Sequence, residues 1–238
     1  PDLQAASDTG MDSADDITSD ATPTFDVAHS GDACRVFRGT TRISAEYETA
    51  VTFTAPAQGD GTHDISVRAV DSAGNESAGS DALSVTIDTQ APTADIVDIS
   101  PDPTFAAVST ADIQFSEWVR LVDIGDLSLT RDGGANLLGG GQGVTTANNQ
   151  NYQLTGLGAL TGVVGSYSLI LNEAGSGIED RAGTALAGDA SDTWTVVAKE
   201  LTVDVPDSAR EGDGTVQGTV SIPVSLPGDL LVTLSSDD

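Results

Sequence analysis

The chain has 238 residues, 37 of them Asp or Glu against 9 Lys or Arg, for a formal charge of -28. A field of that sign repels nucleic acid and anionic lipid headgroups, so neither is expected as a partner. Hydrophobic residues make up 38%, enough to build cores, but aromatics only 4%, as in small β domains rich in Gly, Ser, Thr, Asp and Val, and the single Cys34 excludes an internal disulfide brace.

In chain order, a first strand is expected at 2–6 (DLQAA) and a second at 22–28 (TPTFDVA). Between them runs SDTGMDSADDITSD (7–20), which carries Asp8, Asp12, Asp15, Asp16 and Asp20, with no Lys or Arg before Arg35. Carboxylates about 4 Å apart repel by about 1 kcal/mol in water and by several times that where solvent is partly excluded, so a folded loop that gathers them needs counter-charge. A divalent ion is the available source: calcium takes about 6 to 8 oxygen ligands, which carboxylates and loop carbonyls supply. The plainer alternative is a solvated acidic surface loop.

Further along, period-2 alternation marks strands at 64–71 (DISVRAVD), 82–88 (ALSVTID), 111–118 (ADIQFSEW), 166–172 (SYSLILN), 192–198 (DTWTVVA) and 215–226 (TVQGTVSIPVSL). No long segment has helical spacing with start and stop signals. Short strands between Gly, Asp and Pro turns predict an all-β chain of sandwiches in a row. One break falls at DTQAPTADI (88–96), where Pro92 blocks a strand, and another near VVAKELTVDVP (196–206). The expected domains are therefore 1–91, 92–198 and 199–238, the third too short to bury a full core. The chain starts at Pro1 and stops at SSDD within strand-like sequence, so it is expected to be a piece of something longer. No apolar run approaches the roughly 20 residues that span a bilayer, and membrane insertion of this segment is not expected.

Sandwich topology places the loop between the first two strands at the end where the last strand exits. The aspartate loop should then lie beside Asp60 of the QGDGT turn and beside Asp88, with Asp95 and Asp98 of the next domain close by. Acids from two neighbouring domains are expected to converge there on at least one calcium ion, drawn from Asp8, Asp12, Asp15, Asp16, Asp20 and Asp88. The turn at 70–75 (VDSAGN) sits at the opposite end, and its Asp71 and Asn75 form a second candidate site. Side chains bonding their own backbone, with Gly74 at positive φ, explain the same residues without an ion. VDSAGNESAG (70–79) also lines up with EDRAGTALAG (179–188), an internal echo between the first two domains. The loop lacks EF-hand spacing, and GGGQG (139–143) reads as a flexible turn.

These residues carry a family resemblance. The run THDISVRAVDSAGNESAGSDALSVTIDTQAPTA (62–94) resembles the closing half of the bacterial immunoglobulin-like repeats of large surface adhesins, through Asp71, Ala73, Gly74, Asn75, Ile87, Asp88, Thr89, Ala91 and Pro92. SDTGMDSADDITSDATPTF resembles their aspartate-rich opening. The second domain resembles a related bacterial type through FSEWV (115–119), DLSLT (126–130) and IEDRAGTAL (178–186). Trp118 stands where that pattern has Pro and Thr184 where it has Asn, and the loss of Asn argues against a metal role for the second turn. Residues 201–238 resemble the start of a Calx-beta domain, through Ser208, Glu211, Gly212, Asp213, Gly214 and Thr215. The resemblance implies tandem immunoglobulin-like sandwiches in a linear array, from a large secreted or cell-surface bacterial protein, with calcium stiffening the joints. Implied partners are the neighbouring domains of the same chain and an adhesion target, a surface protein or a carbohydrate, that these residues do not name.

An enzyme is not expected. His29 and His63 should lie at opposite ends of a sandwich, Cys34 is the one thiol, and no nucleophile elbow, zinc-protease helix or phosphate loop occurs. The alternative from another class is a carbohydrate-binding β-sandwich module of a secreted enzyme, for which Trp118 and Trp194 would be the stacking platforms. Both lie in alternating strands, where a buried core role is the plainer account of them.

Overall fold

The computed structural model describes residues 1–199, 202–204 and 219–221. Its regular structure is β throughout, apart from one 3₁₀ turn at Ile124–Asp126, and no helix among the described residues is long and apolar enough to cross a membrane. Eight strands precede Asp88: β1 (Asp2–Leu3), β2 (Ile17–Thr18), β3 (Thr24–Asp26), β4 (Ala33–Arg38), β5 (Thr41–Arg42), β6 (Thr52–Thr54), β7 (Gly61–Val70) and β8 (Leu83–Ile87). They form a three-stranded sheet, β1-β3-β6, and a five-stranded sheet, β2-β8-β7-β4-β5. Phe25, Val27, Val36, Phe53, Ile65, Val85 and Ile87 meet in the core between them. In β7 and β8 the apolar residues alternate inward, as one-sided burial of a strand requires, and each large side chain so buried contributes about 1.5 to 3 kcal/mol.

The next seven strands are β9 (Ala94–Ile96), β10 (Thr110–Phe115), β11 (Leu127–Arg131), β12 (Gly143–Thr146), β13 (Asn151–Thr155), β14 (Gly165–Leu171) and β15 (Ala190–Val196). Sheets β12-β13-β10-β9 and β11-β14-β15 enclose a second, separate core built on Ile113, Leu129, Leu154, Tyr167, Leu169 and Trp194. Beyond it, β16 (Thr202–Asp204) and β17 (Thr219–Ser221) pair antiparallel. The Calx-beta resemblance rests on residues 208–215, which lie outside the described residues.

The two tryptophans part company. Trp194 is 1% exposed and stacked on Tyr167, ring centroids 5.5 Å apart and planes within 10°, so it cannot serve as a sugar platform. Trp118 lies past the end of β10, half-buried rather than in the core, with the Arg181 guanidinium 5.1 Å from its ring centroid. The tip of the expected aspartate loop also differs from expectation. Ile17 and Thr18 leave the loop as β2 and run parallel to Thr86 and Ile87 of β8, so the first edge of the chain contributes to both sheets.

Candidate cation site at the seam between the sandwiches

Local chemistry disposes of most of the aspartates in 7–20. Asp12 Oδ1 accepts from the Ala14 amide at 3.1 Å, and Asp15 Oδ1 from the Ile17 amide at 3.1 Å. Asp20 accepts from the Thr22 amide and hydroxyl through one oxygen and from Ser7 Oγ through the other. Backbone dipoles and hydroxyls thus offset the charge that sequence reasoning assigned to an ion, and these three side chains act as turn formers. Asp8 and Asp16 differ. Asp8 is 4% exposed, and its Oδ1 has no hydrogen-bond partner. Burial raises the affinity of both carboxyls for a proton, with Asp15, Asp16 and Asp12 adding to the effect on Asp8, and Asp2 and Asp15 to that on Asp16.

The same economy governs the turn after β7. Asp71 Oδ1 accepts from the amides of Ala73 and Asn75, and its Oδ2 from Asn75 Nδ2 at 2.9 Å. Those bonds, the Asn75 side chain first, hold the Asp71 carboxyl below the ordinary carboxylate range. Both oxygens are engaged within the turn, so Asp71 and Asn75 form a closed Asx turn rather than an open pair of ligands.

The matching turn of the second sandwich is built otherwise. Asp180 Oδ1 accepts from the Thr184 amide at 2.8 Å, just as Asp71 does from Asn75. Thr184 has no amide to offer the second oxygen, and its hydroxyl lies 3.5 Å from the Asp88 carbonyl oxygen instead. Asp180 is 1% exposed, and its Oδ2 has no hydrogen-bond partner. The exchange of Asn for Thr, which argued against a metal role, is what frees this oxygen.

Asp180 Oδ2 does not stand alone. Asp88, Glu117 and Asp180 each bring a carboxylate oxygen to within 4.8 Å of the others. Asp88 comes from the end of β8 in the first sandwich, Glu117 from just past β10 in the second, and Asp180 from the turn before β15. Of the residues singled out in sequence, only Asp88 belongs to this group. Among the described residues none of the three has a Lys or Arg ion pair, and the neighbouring Glu179 is taken by Arg120. At an effective dielectric of about 20, unit charges that close repel by about 3 to 4 kcal/mol per pair. Burial, then Asp88 and Asp180, push Glu117 up to about 7, and burial likewise raises Asp180. Three clustered acids with one orphaned buried oxygen suit a hard, oxygen-seeking divalent cation, with water and loop carbonyls completing the shell.

The surrounding seam is closely fitted. Thr9 Oγ1 donates to the Ala182 carbonyl at 2.6 Å, the Met11 amide to the Arg181 carbonyl at 3.4 Å, and the Ala187 amide to the Pro92 carbonyl at 2.9 Å. Gly10, at φ +96°, lies so near the second sandwich that a Cβ would fall 2.1 Å from the Arg181 carbonyl oxygen. Asp60, also expected here, accepts from the Thr89 amide and hydroxyl and from Gln90, and so anchors the linker. Asp95 is the middle residue of β9, opposite Gln114, and lies outside the three-acid group.

The residues weighed for catalysis have other occupations. Cys34 is wholly buried in β4, where burial, then Glu48, push its thiol up and away from the reactive thiolate. His29 and His63 bond the carbonyls of Gly31 and Gly59 in their own turns.

No curated protein matches the chain. Among solved structures, a tetra-tandem repeat from the extending region of a large adhesion protein is 19% identical, with 88% of this chain and 55% of that one covered at a TM-score of 0.33. The fibronectin(III)-like modules of Clostridium thermocellum CbhA are 15% identical over 77% of this chain and 90% of theirs, TM-score 0.30. The N-terminal part of the bacterial S-layer protein SbsC is 15% identical over 49% of this chain, TM-score 0.33, and the match spans 26% of its length. Residues 1–89 match the family model of the bacterial Ig-like domain.

Proposed function

We propose that this chain is a non-catalytic modular segment of a large secreted or cell-surface bacterial protein, a spacer or adhesive array whose first joint is braced by calcium. The observation that carries the reading is the convergence of Asp88 with Glu117 and Asp180 across the seam, one buried oxygen of Asp180 being left without a partner. Three acids held that close oppose docking of the sandwiches unless a cation joins them, so the joint should be loose without calcium and stiff with it. Extracellular modules of this kind bind calcium with Kd about 10⁻⁴ to 10⁻³ M, so such a joint fills outside a cell and empties inside one. At about 100 times Kd, occupancy adds roughly 2.7 kcal/mol to the state that binds. The family match over residues 1–89 supports the modular part of the reading.

Calcium titration of the full, chelator-stripped chain by calorimetry tests this. Saturable binding should appear together with a rise in melting temperature, and Asp180→Asn, which keeps the Oδ1 acceptor for Thr184, should remove the seam component of both. Heats and melting indifferent to calcium would refute the brace.

A further inference from the structure

Away from the seam, the first sandwich has an acidic cleft of about 590 Å³ between β1, β3 and the start of the aspartate loop. Asp2, Asp8, Asp16 and Asp26 all line it, with no Lys or Arg among the lining residues. The sheet itself sets up part of this clustering. Asp2 of β1 stands directly opposite Asp26 of β3 in the antiparallel register, a like-charge cross-strand pair that costs stability unless something offsets it. Gln4 Nε2 donates to Asp26 Oδ1 at 2.7 Å and moderates one side of the pair. From the loop, Asp16 is held in the left-handed region at φ 58°, which Asp and Asn tolerate better than other side chains. Its amide donates at 3.3 Å to Asp8 Oδ2, fixing the Asp8 carboxylate. Asp8 is a lining residue of the cleft, and its other oxygen, Oδ1, is buried and has no partner.

We infer that this cleft is a second divalent-cation site, distinct from the seam, in which Asp8 Oδ1 and Asp16 ligate calcium while Asp2 and Asp26 supply the balancing charge. The buried orphan oxygen and the opposed pair are independent observations with one remedy: a cation in the cleft gives the first a partner and offsets the second. Asp12, Asp15 and Asp20 do not line the cleft and are not among its ligands. The acids are spread round the cleft wall more widely than at the seam, so carbonyl oxygens and water fill most of the shell, which calcium, with about six to eight ligands and flexible geometry, accommodates. The site has a structural consequence. Asp8 immediately precedes Thr9, Gly10 and Met11, the residues that dock on the turn at 181–183 of the second sandwich. An ion at Asp8 therefore orders the loop that makes the seam, without contributing a ligand to the seam site.

Equilibrium dialysis of the full, chelator-stripped chain against calcium chloride distinguishes the two sites. Asp8→Asn and Asp16→Asn should each bind one calcium fewer than the wild-type chain while retaining the seam ion, and Asp180→Asn should lose one that Asp16→Asn keeps. The double variant Asp16→Asn, Asp180→Asn should then lose two. Asn suits the left-handed backbone at position 16, so that variant decides the matter if Asp8→Asn fails to fold. Wild-type stoichiometry and affinity in Asp16→Asn would overturn the cleft site and leave the seam untouched. Loss in Asp16→Asn with none in Asp180→Asn would instead uphold the cleft and reject the seam.

Discussion

A single exchange of side chain separates a closed turn from an open ligand. In the first sandwich Asn75 places its side-chain amide on Asp71 Oδ2, whereas in the second the Thr184 backbone amide bonds Asp180 Oδ1 and Oδ2 is left without a partner in a buried setting. Thr184→Asn should therefore convert the second turn into a copy of the first. The new amide would compete with the ion for Asp180 Oδ2, and calcium affinity at the seam is expected to fall about tenfold, or about 1.4 kcal/mol. Calorimetric titration checks this. Because Asn is the residue the fold already accepts at position 75, melting in chelator should hold or rise. An unchanged affinity would mean that Asp180 Oδ2 takes no part in ligation.

Among the elements, the seam depends on one glycine whose demands can be separated experimentally. Gly10 combines a left-handed backbone with backbone-to-backbone contact against Arg181 and Ala182, while Gly39 has the same handedness, φ 57°, with nothing within 4 Å of its would-be Cβ. Alanine at either site costs about 1 kcal/mol for the backbone, but only Gly10→Ala should push the sandwiches apart. The expected outcome is similar chelator-state melting for both variants, with calcium affinity at the seam reduced tenfold or more in Gly10→Ala alone. The sequence made the frame of these elements visible because alternation is a direct mark of one-sided burial: 64–71 and 82–88 coincide with β7 and β8, and 166–172 and 192–198 with β14 and β15, each within a few residues. It hid β2, since two residues bordered by aspartates carry no period, and β4, whose ACRVFR mixes buried and partly exposed positions through two arginines. The expectation that acids meet at a junction came from topology, and the structure gathers Asp88 with Glu117 and Asp180 rather than with the aspartate loop. The particular acids were not legible, because Glu117 and Asp180 lie 63 residues apart in sequence and nothing local marks them as neighbours. The motifs FSEWV and IEDRAG held both residues, but an aspartate whose second oxygen is free reads in sequence the same as one whose oxygens are both engaged.

For the molecule as a whole, the formal charge of -28 makes every ionic condition a structural variable, and the separations decide which ions matter. Monovalent salt screens over about 8 Å at 0.15 M, longer than the 4.8 Å that encloses the Asp88, Glu117 and Asp180 oxygens. Sodium chloride should therefore weaken the general self-repulsion of the chain yet leave the seam uncompensated. Magnesium carries the right charge but dehydrates reluctantly and demands octahedral geometry at about 2.0 to 2.1 Å, which irregular carboxylates from two sandwiches do not supply. Small-angle scattering can rank the three. Calcium at a few times its Kd should narrow the distribution of dimensions to that of one docked pair. Sodium chloride at about 0.15 M, with chelator, should leave it broad, and magnesium at equal concentration should fall between. Asp180→Asn should stay broad in all three. If sodium chloride alone narrowed the wild-type distribution as far as calcium does, diffuse screening would account for the joint and a bound ion would be unnecessary.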